Sequence, residues 1–158
     1  MEHEPVDRPE YWRARLSRCK GEVHRAMFEG PFRSISAQEY LDRVELEKSL
    51  GRYDSVLDCG CGYGRLLYLL PDRWEGDYLG VDVSPDFLAL AEVFHPSRRF
   101  ALGDLRDLSF LGELTFDVAV VSWVRPMVIT HLGKDQWDRM ETQIKAHARE
   151  VIYLMESL

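Results

Sequence analysis

The chain is predicted to be an α/β protein, a doubly wound and mostly parallel sheet in strand order 3-2-1-4-5, preceded by N-terminal helices. Three observations predict this. Short apolar runs near residues 54–58, 77–82, 98–102, 116–122 and 150–155 alternate with helix-length segments. The links between them are short, which suits parallel strands covered by helices on both faces. Right-handed crossovers then leave 3-2-1-4-5 as the expected order.

The first eight residues read as a frayed end. From Pro9 to Met27 the apolar residues Trp12, Leu16, Cys19, Val23 and Met27 recur at helical spacing and form one stripe. Around that stripe Arg8, Arg13, Arg15, Arg18, Lys20 and Arg25 face only Glu10 and Glu22, so residues 8–25 carry +4 in a chain whose net charge is −7. Gly30, Pro31 and Ser34 mark a loop. Ser36 and Glu39 then have capping-box spacing, opening a second helix that ends near Gly51. Residues 1–50 are expected to form a helical cap on a core of 51–158, the whole making a single domain.

In the core, Val56-Leu57-Asp58 closes an apolar strand with a carboxylate, and Gly60, Gly62 and Gly64 follow at alternate positions. The stretch Leu66–Leu70 then reads as a helix. Ser84-Pro85 supplies an N-cap followed by proline at the first helical position. Trp137, Met140 and Ile144 share one face of the last helix.

Glycines suit a strand-to-helix turn where the backbone bends sharply and a ligand approaches closely. A dinucleotide fingerprint would place its third glycine at position 65, where this chain has Arg65. The phosphate-loop pattern is absent. Tyr78-Leu79-Gly80-Val81-Asp82 ends a second strand in an acid, 18 residues after Gly64. A carboxylate there can accept from both hydroxyls of a ribose.

The arrangement Asp58-x-Gly60-x-Gly62-x-Gly64 resembles the first motif of class I S-adenosylmethionine-dependent methyltransferases. Asp82, Phe100–Leu105 and Phe116–Trp123 are similar to the later motifs of that family, in the right order. The resemblance implies a Rossmann-like fold, S-adenosylmethionine as cofactor with S-adenosylhomocysteine as product, and a methyl transfer. It implies that the backbone of Gly60, Cys61, Gly62, Tyr63 and Gly64 meets the methionine portion, with Asp58 near the ammonium. Asp82 would take the ribose, Val83 would flank the adenine, Asp104 and Leu105 would meet its edge, and Ser122 and Trp123 would line the methyl side. The plainer duty of Asp82 and Asp104 is as turn or cap residues. The chain departs from the family by stopping after strand five, without the usual antiparallel hairpin. That leaves an edge strand which a second copy, the N-terminal helices or a partner is expected to cover.

Composition narrows the functional classes. No apolar run is long enough for a membrane span, and the acidic Met1-Glu2-His3-Glu4 is no secretory leader, so a cytoplasmic protein is expected. The cysteines are Cys19, Cys59 and Cys61; the last two read as small packing residues inside the turn, and no metal is expected. Net acidity speaks against a nucleic-acid partner without excluding one. The expected acceptor is a small molecule, methylated on oxygen or nitrogen. The alternatives are a nucleic-acid or protein methyltransferase docking through the basic helix, and a cofactor-binding subunit without turnover. No catalytic residue is fixed. His131, in the loop after strand four, has a pKa suited to a base, and Arg125 could pair with an anionic substrate. Tyr11 and Trp12 could close over the pocket, although core packing is the simpler role for Trp12.

Overall fold

The computed structural model describes residues 6–18, 40–42, 44, 46, 48–49, 52–70 and 74–154. The elements are α1 (Pro9–Arg18), β1 (Ser55–Cys59), α2 (Arg65–Leu69), β2 (Asp77–Asp82), α3 (Pro85–Phe94), β3 (Arg99–Leu102), a 3-10 turn at Ser109–Leu111, β4 (Phe116–Ser122), α4 (Val124–Leu132), α5 (Lys134–His147) and β5 (Ala148–Leu154). The described residues within 40–49 are also helical. The strands form one sheet in the order β3-β2-β1-β4-β5, every pair parallel, as predicted.

The sheet is buried on both faces because its strands alternate two apolar sets with period two. Val56, Tyr78, Val118 and Val120 pack with Leu46, Leu66, Leu69 and Leu154. Leu57, Leu79, Ala119 and Val121 point the other way, onto Val124 and Val128 of α4 and Trp137, Met140 and Ile144 of α5. A smaller cluster joins Trp12 of α1 and Phe87 of α3 to Tyr63, so α1 lies across α3. Since α3 packs on β2 and β3, α1 sits at the opposite end of the sheet from β5.

Helix ends follow local chemistry. The Ser84 hydroxyl accepts from the Phe87 amide at 3.3 Å, with Pro85 beside it, so the predicted cap opens α3. His131 lies within α4, where the sequence suggested a loop. Pro126 does not forbid that helix, because it falls in the first turn, where the backbone amides have no helical acceptors. Helix α5 runs straight into β5, which begins at Ala148, two residues earlier than expected. Val6 and Asp7, expected to fray, are placed: the Trp12 indole donates to the Val6 carbonyl at 2.8 Å. Cys19, Val23 and Met27 of the apolar stripe, and the Ser36–Glu39 capping box, lie outside the described residues. Among the described residues no helix is long and apolar enough to cross a membrane.

Candidate functional site

Register decides where the chemistry gathers. Cys59 stands opposite Val81 of β2 and Val121 of β4, so Gly60, Asp82 and Ser122 leave the sheet at one level. This is the crevice beyond the carboxyl ends of the strands, where the chain crosses from one half of the sheet to the other. The Gly60 and Cys61 amides both donate to the Val81 carbonyl, at 2.8 and 3.1 Å, which folds the turn back over β2.

Gly60 has a φ of 73° and Gly64 a φ of 82°. A Cβ on Gly60 would lie 2.5 Å from Val124 Cγ2, a branched side chain with no freedom to swing away. Gly60→Ala is therefore expected to lower stability by about 2 kcal/mol or more, from left-handed strain plus the clash, and to intrude on the crevice. Thermal denaturation and calorimetric titration with S-adenosylhomocysteine read the two effects separately.

Two cavities meet at this turn. The larger, about 700 Å³ counted out to its open mouth, is lined by Gly60, Gly62, Asp82, Val83, Gly103, Asp104, Leu105, Ser122 and Trp123, together with Trp12, Phe87 and Met127. The smaller, about 320 Å³, is lined by Asp58, Gly60, Cys61, Arg65, Leu66, Ser122 and Trp123. Gly60, Ser122 and Trp123 belong to both. Trp123 takes a φ of 62°, unusual for a bulky residue, at the junction of β4 and α4.

The carboxylates differ in what occupies them. Asp82 accepts the Gly62 amide on Oδ2 and the Ser84 amide on Oδ1, each at 2.8 Å, leaving lone pairs on both oxygens. Burial pushes its carboxyl above the ordinary range, while the Ser84, Gly62 and Val83 amides pull it down. Asp58 is buried beneath the smaller cavity, and its Oδ2 accepts the Tyr78 hydroxyl at 2.6 Å. Burial pushes Asp58 up to about 7, opposed by the Tyr78 hydrogen bond and the Arg65 charge and reinforced by the Asp82 charge. Asp104 accepts from its neighbour Arg106 through the backbone amide and the guanidinium. Burial alone would raise Asp104; the Arg106 hydrogen bonds outweigh it and hold the carboxyl below the usual range.

Arg65 was not legible as a site residue from local pattern. Its Nη2 donates to Asp42 Oδ2 at 2.8 Å and to Ser122 Oγ at 2.9 Å, in a buried ion pair spanning 23 positions. Nothing local in the sequence links those two residues. Val6, Asp7, Phe87 and Met127 were also missed as cavity residues, whereas Trp12 is both packed against Phe87 and part of the wall.

Other sequence candidates fall elsewhere. Tyr63 and Gly64 support the turn without lining either cavity, Tyr63 packing on Phe94 instead. Arg125 places its guanidinium 5.2 Å from the Tyr153 ring centre, and His131 is exposed near the end of α4; neither lines either of these two cavities. Burial pushes the thiols of Cys59 and Cys61 well up, so both stay protonated and unreactive. The residues present therefore fit an amino-acid-tailed nucleoside. A side-chain-poor turn, an acid with spare acceptor capacity at the end of β2, and a second acid under the smaller cavity are all in place.

Comparison with known proteins points the same way. Residues 56–150 match a family model described as a methyltransferase domain. Trans-aconitate 2-methyltransferase of Escherichia coli strain K12 / DH10B is 35% identical over 95 residues, 58% of this chain and 36% of that protein. The chain thus spans about a third of the length of such curated relatives. Among solved structures, Streptomyces venezuelae DesVI superposes with a TM-score of 0.61 at 20% identity, covering 85% of this chain and 56% of the other. CalS10 of Micromonospora echinaspora, an amino pentose methyltransferase solved with S-adenosylmethionine bound, gives 0.57 at 23% identity, covering 93% and 55%.

Proposed function

Because the chain belongs to the methyltransferase domain family, within the class I S-adenosylmethionine-dependent methyltransferases, we propose that it methylates oxygen or nitrogen of a small molecule. The observation that carries the reading is the pair of cavities joined at Gly60, Ser122 and Trp123, beside Asp82. The cofactor supplies a methyl group already activated on a cationic sulfur. In this reading the Asp82 oxygens accept from the ribose hydroxyls and Asp58 takes the tail ammonium. Trp12, Val83 and Leu105 enclose the base and exclude water. Ser122, its hydroxyl fixed by Arg65, and Trp123 hold the wall where the acceptor must stand in line. A neutral amine attacks through its own lone pair, so this chemistry needs no base before transfer.

Charge supports a neutral or cationic acceptor. The larger cavity presents Asp7, Asp82 and Asp104, and among the described residues that line it there is no Lys, Arg or His. A polycarboxylate such as the one in the curated relatives' name would meet beside these acids only Arg106, which Asp104 and Asp7 already share. The basic N-terminal helix also offers less to phosphates than its composition suggests. Arg13 pairs with Asp86 at 3.0 Å, and Arg15 is buried, donating to the Tyr11 hydroxyl at 2.9 Å. With β5 paired only to β4 among the described residues, the N-terminal helices, a second copy or a partner is proposed to cover its outer edge.

The test is incubation with methyl-labelled donor and a metabolite extract, alongside RNA, DNA and protein fractions. Label is expected in low-mass amines or alcohols, with trans-aconitate unlabelled. Label confined to a macromolecular fraction would overturn the acceptor class. Donor binding without product, rescued by a co-purifying chain, would indicate a binding subunit.

A further inference from the structure

Gly80 sits in the middle of a buried strand, where a missing side chain forfeits packing and marks a close approach. In β2 it stands opposite Asp58 of β1, and Tyr78 stands opposite Val56. Residues two apart on a strand share a face, so Tyr78, Gly80, Val56 and Asp58 lie on one side of the sheet. A Cβ on Gly80 would fall 2.9 Å from the Tyr78 hydroxyl and 2.8 Å from Cys61 Sγ. The glycine therefore leaves room for the Tyr78 ring to reach past its own pairing position. Its hydroxyl donates to Asp58 Oδ2 at 2.6 Å, with both residues buried.

A hydrogen bond to a buried carboxylate favours its charged form, because no water is there to substitute. The other groups facing Asp58 do not replace it. Val120, its partner on β4, carries no charge. The Arg65 charge helps, but Nη2 of that guanidinium is already divided between Asp42 and Ser122. The Asp82 charge opposes ionisation. The Cys59 and Cys61 thiols stay protonated. Asp58 borders the smaller cavity, and a carboxylate has lone pairs beyond the one that Tyr78 takes.

We propose that Tyr78 is a positioning residue for the methyl donor: its hydroxyl holds the Asp58 carboxylate in the orientation and charge state that receive a cationic amino-acid tail. Without that hydroxyl, burial drives Asp58 toward the neutral acid, a much poorer acceptor for an ammonium. The inference rests on the proposed placement of the donor's ammonium beside Asp58.

Tyr78→Phe keeps the ring and removes only the hydroxyl. Calorimetric titration with S-adenosylhomocysteine across the range from about pH 5.5 to about pH 8.5 reads the effect. In the parent chain affinity is expected to level off above about pH 7. In Tyr78→Phe the rise is expected to move up by about one pH unit, leaving affinity about 5-fold weaker near neutrality and nearly recovered at the alkaline end. Carbon-13 NMR of the Asp58 carboxyl in the ligand-free chain is expected to show the same upward displacement. Gly80→Ala, which keeps the tyrosine but crowds its hydroxyl, is expected to displace the profile in the same direction. Thermal melts verify that each variant is folded. A side chain that merely fills the core would weaken binding equally at every pH; that result, or an unchanged profile, overturns the inference. Asp58→Asn separates the two layers. If it flattens the profile while Tyr78→Phe matches the parent, the inference fails and the ammonium placement stands. If Asp58→Asn keeps the parent's profile, the placement fails and the inference falls with it.

Discussion

Asp82→Ala is expected to weaken S-adenosylhomocysteine binding by roughly 100-fold or more. A carboxylate accepting two ribose hydroxyls makes two charge-assisted bonds, each worth about 1.5–3 kcal/mol when buried. Even the lower figures sum to about 3 kcal/mol, more than two orders of magnitude in affinity. The same oxygens hold the amides of Gly62 and Ser84, so the glycine turn and the start of α3 also loosen. Titration calorimetry of a variant shown to be folded measures the loss. Unchanged affinity would remove the ribose from this carboxylate and with it the assignment of the larger cavity.

The second large effect concerns pH and Asp58. Its carboxyl sits at about 7 in the folded chain, against about 3.9 when unfolded. Between those values the folded state keeps a proton that the unfolded state has shed. The stabilising contribution is therefore complete below about pH 4 and is lost as pH rises through 7. The fall is on the order of 4 kcal/mol. Asp58→Asn removes the titration, so its stability is expected to gain on the parent between pH 5 and pH 8 in urea unfolding; parallel pH profiles would refute this. Binding runs the other way. A cationic ammonium beside Asp58 favours the ionised form, so S-adenosylhomocysteine affinity is expected to rise with pH up to about 7, with proton release detectable by calorimetry in two buffers. Asp58→Asn is expected to abolish that release.

The sheet order and the glycine turn were legible because they depend on local patterns. Period-two apolar runs, a serine followed by proline, and Trp137, Met140 and Ile144 at helical spacing each declare themselves within one element. Asp82 could be found by counting residues from the turn. What escaped notice was created by distance. Arg65 meets Asp42 and Ser122 only after the sheet has formed. The Tyr78 hydroxyl reaches Asp58 because β1 and β2 pair in parallel. Asp7 lies in a polar, proline-containing start that reads as a loose end, and only Trp12 and Arg106 bring it to the cavity. Composition likewise overstated the basic face of α1, since a buried arginine counts the same as an exposed one.

No residue separates α5 from β5, and the two are stitched together sideways. The Tyr153 hydroxyl donates to Glu141 at 2.5 Å, and its ring lies edge-on to Trp137. The same helix carries Met140 into the wall of the larger cavity. Helix and border strand are thus fastened by side chains as well as by backbone, and the cavity wall at Met140 and the rim of the sheet belong to one packed piece.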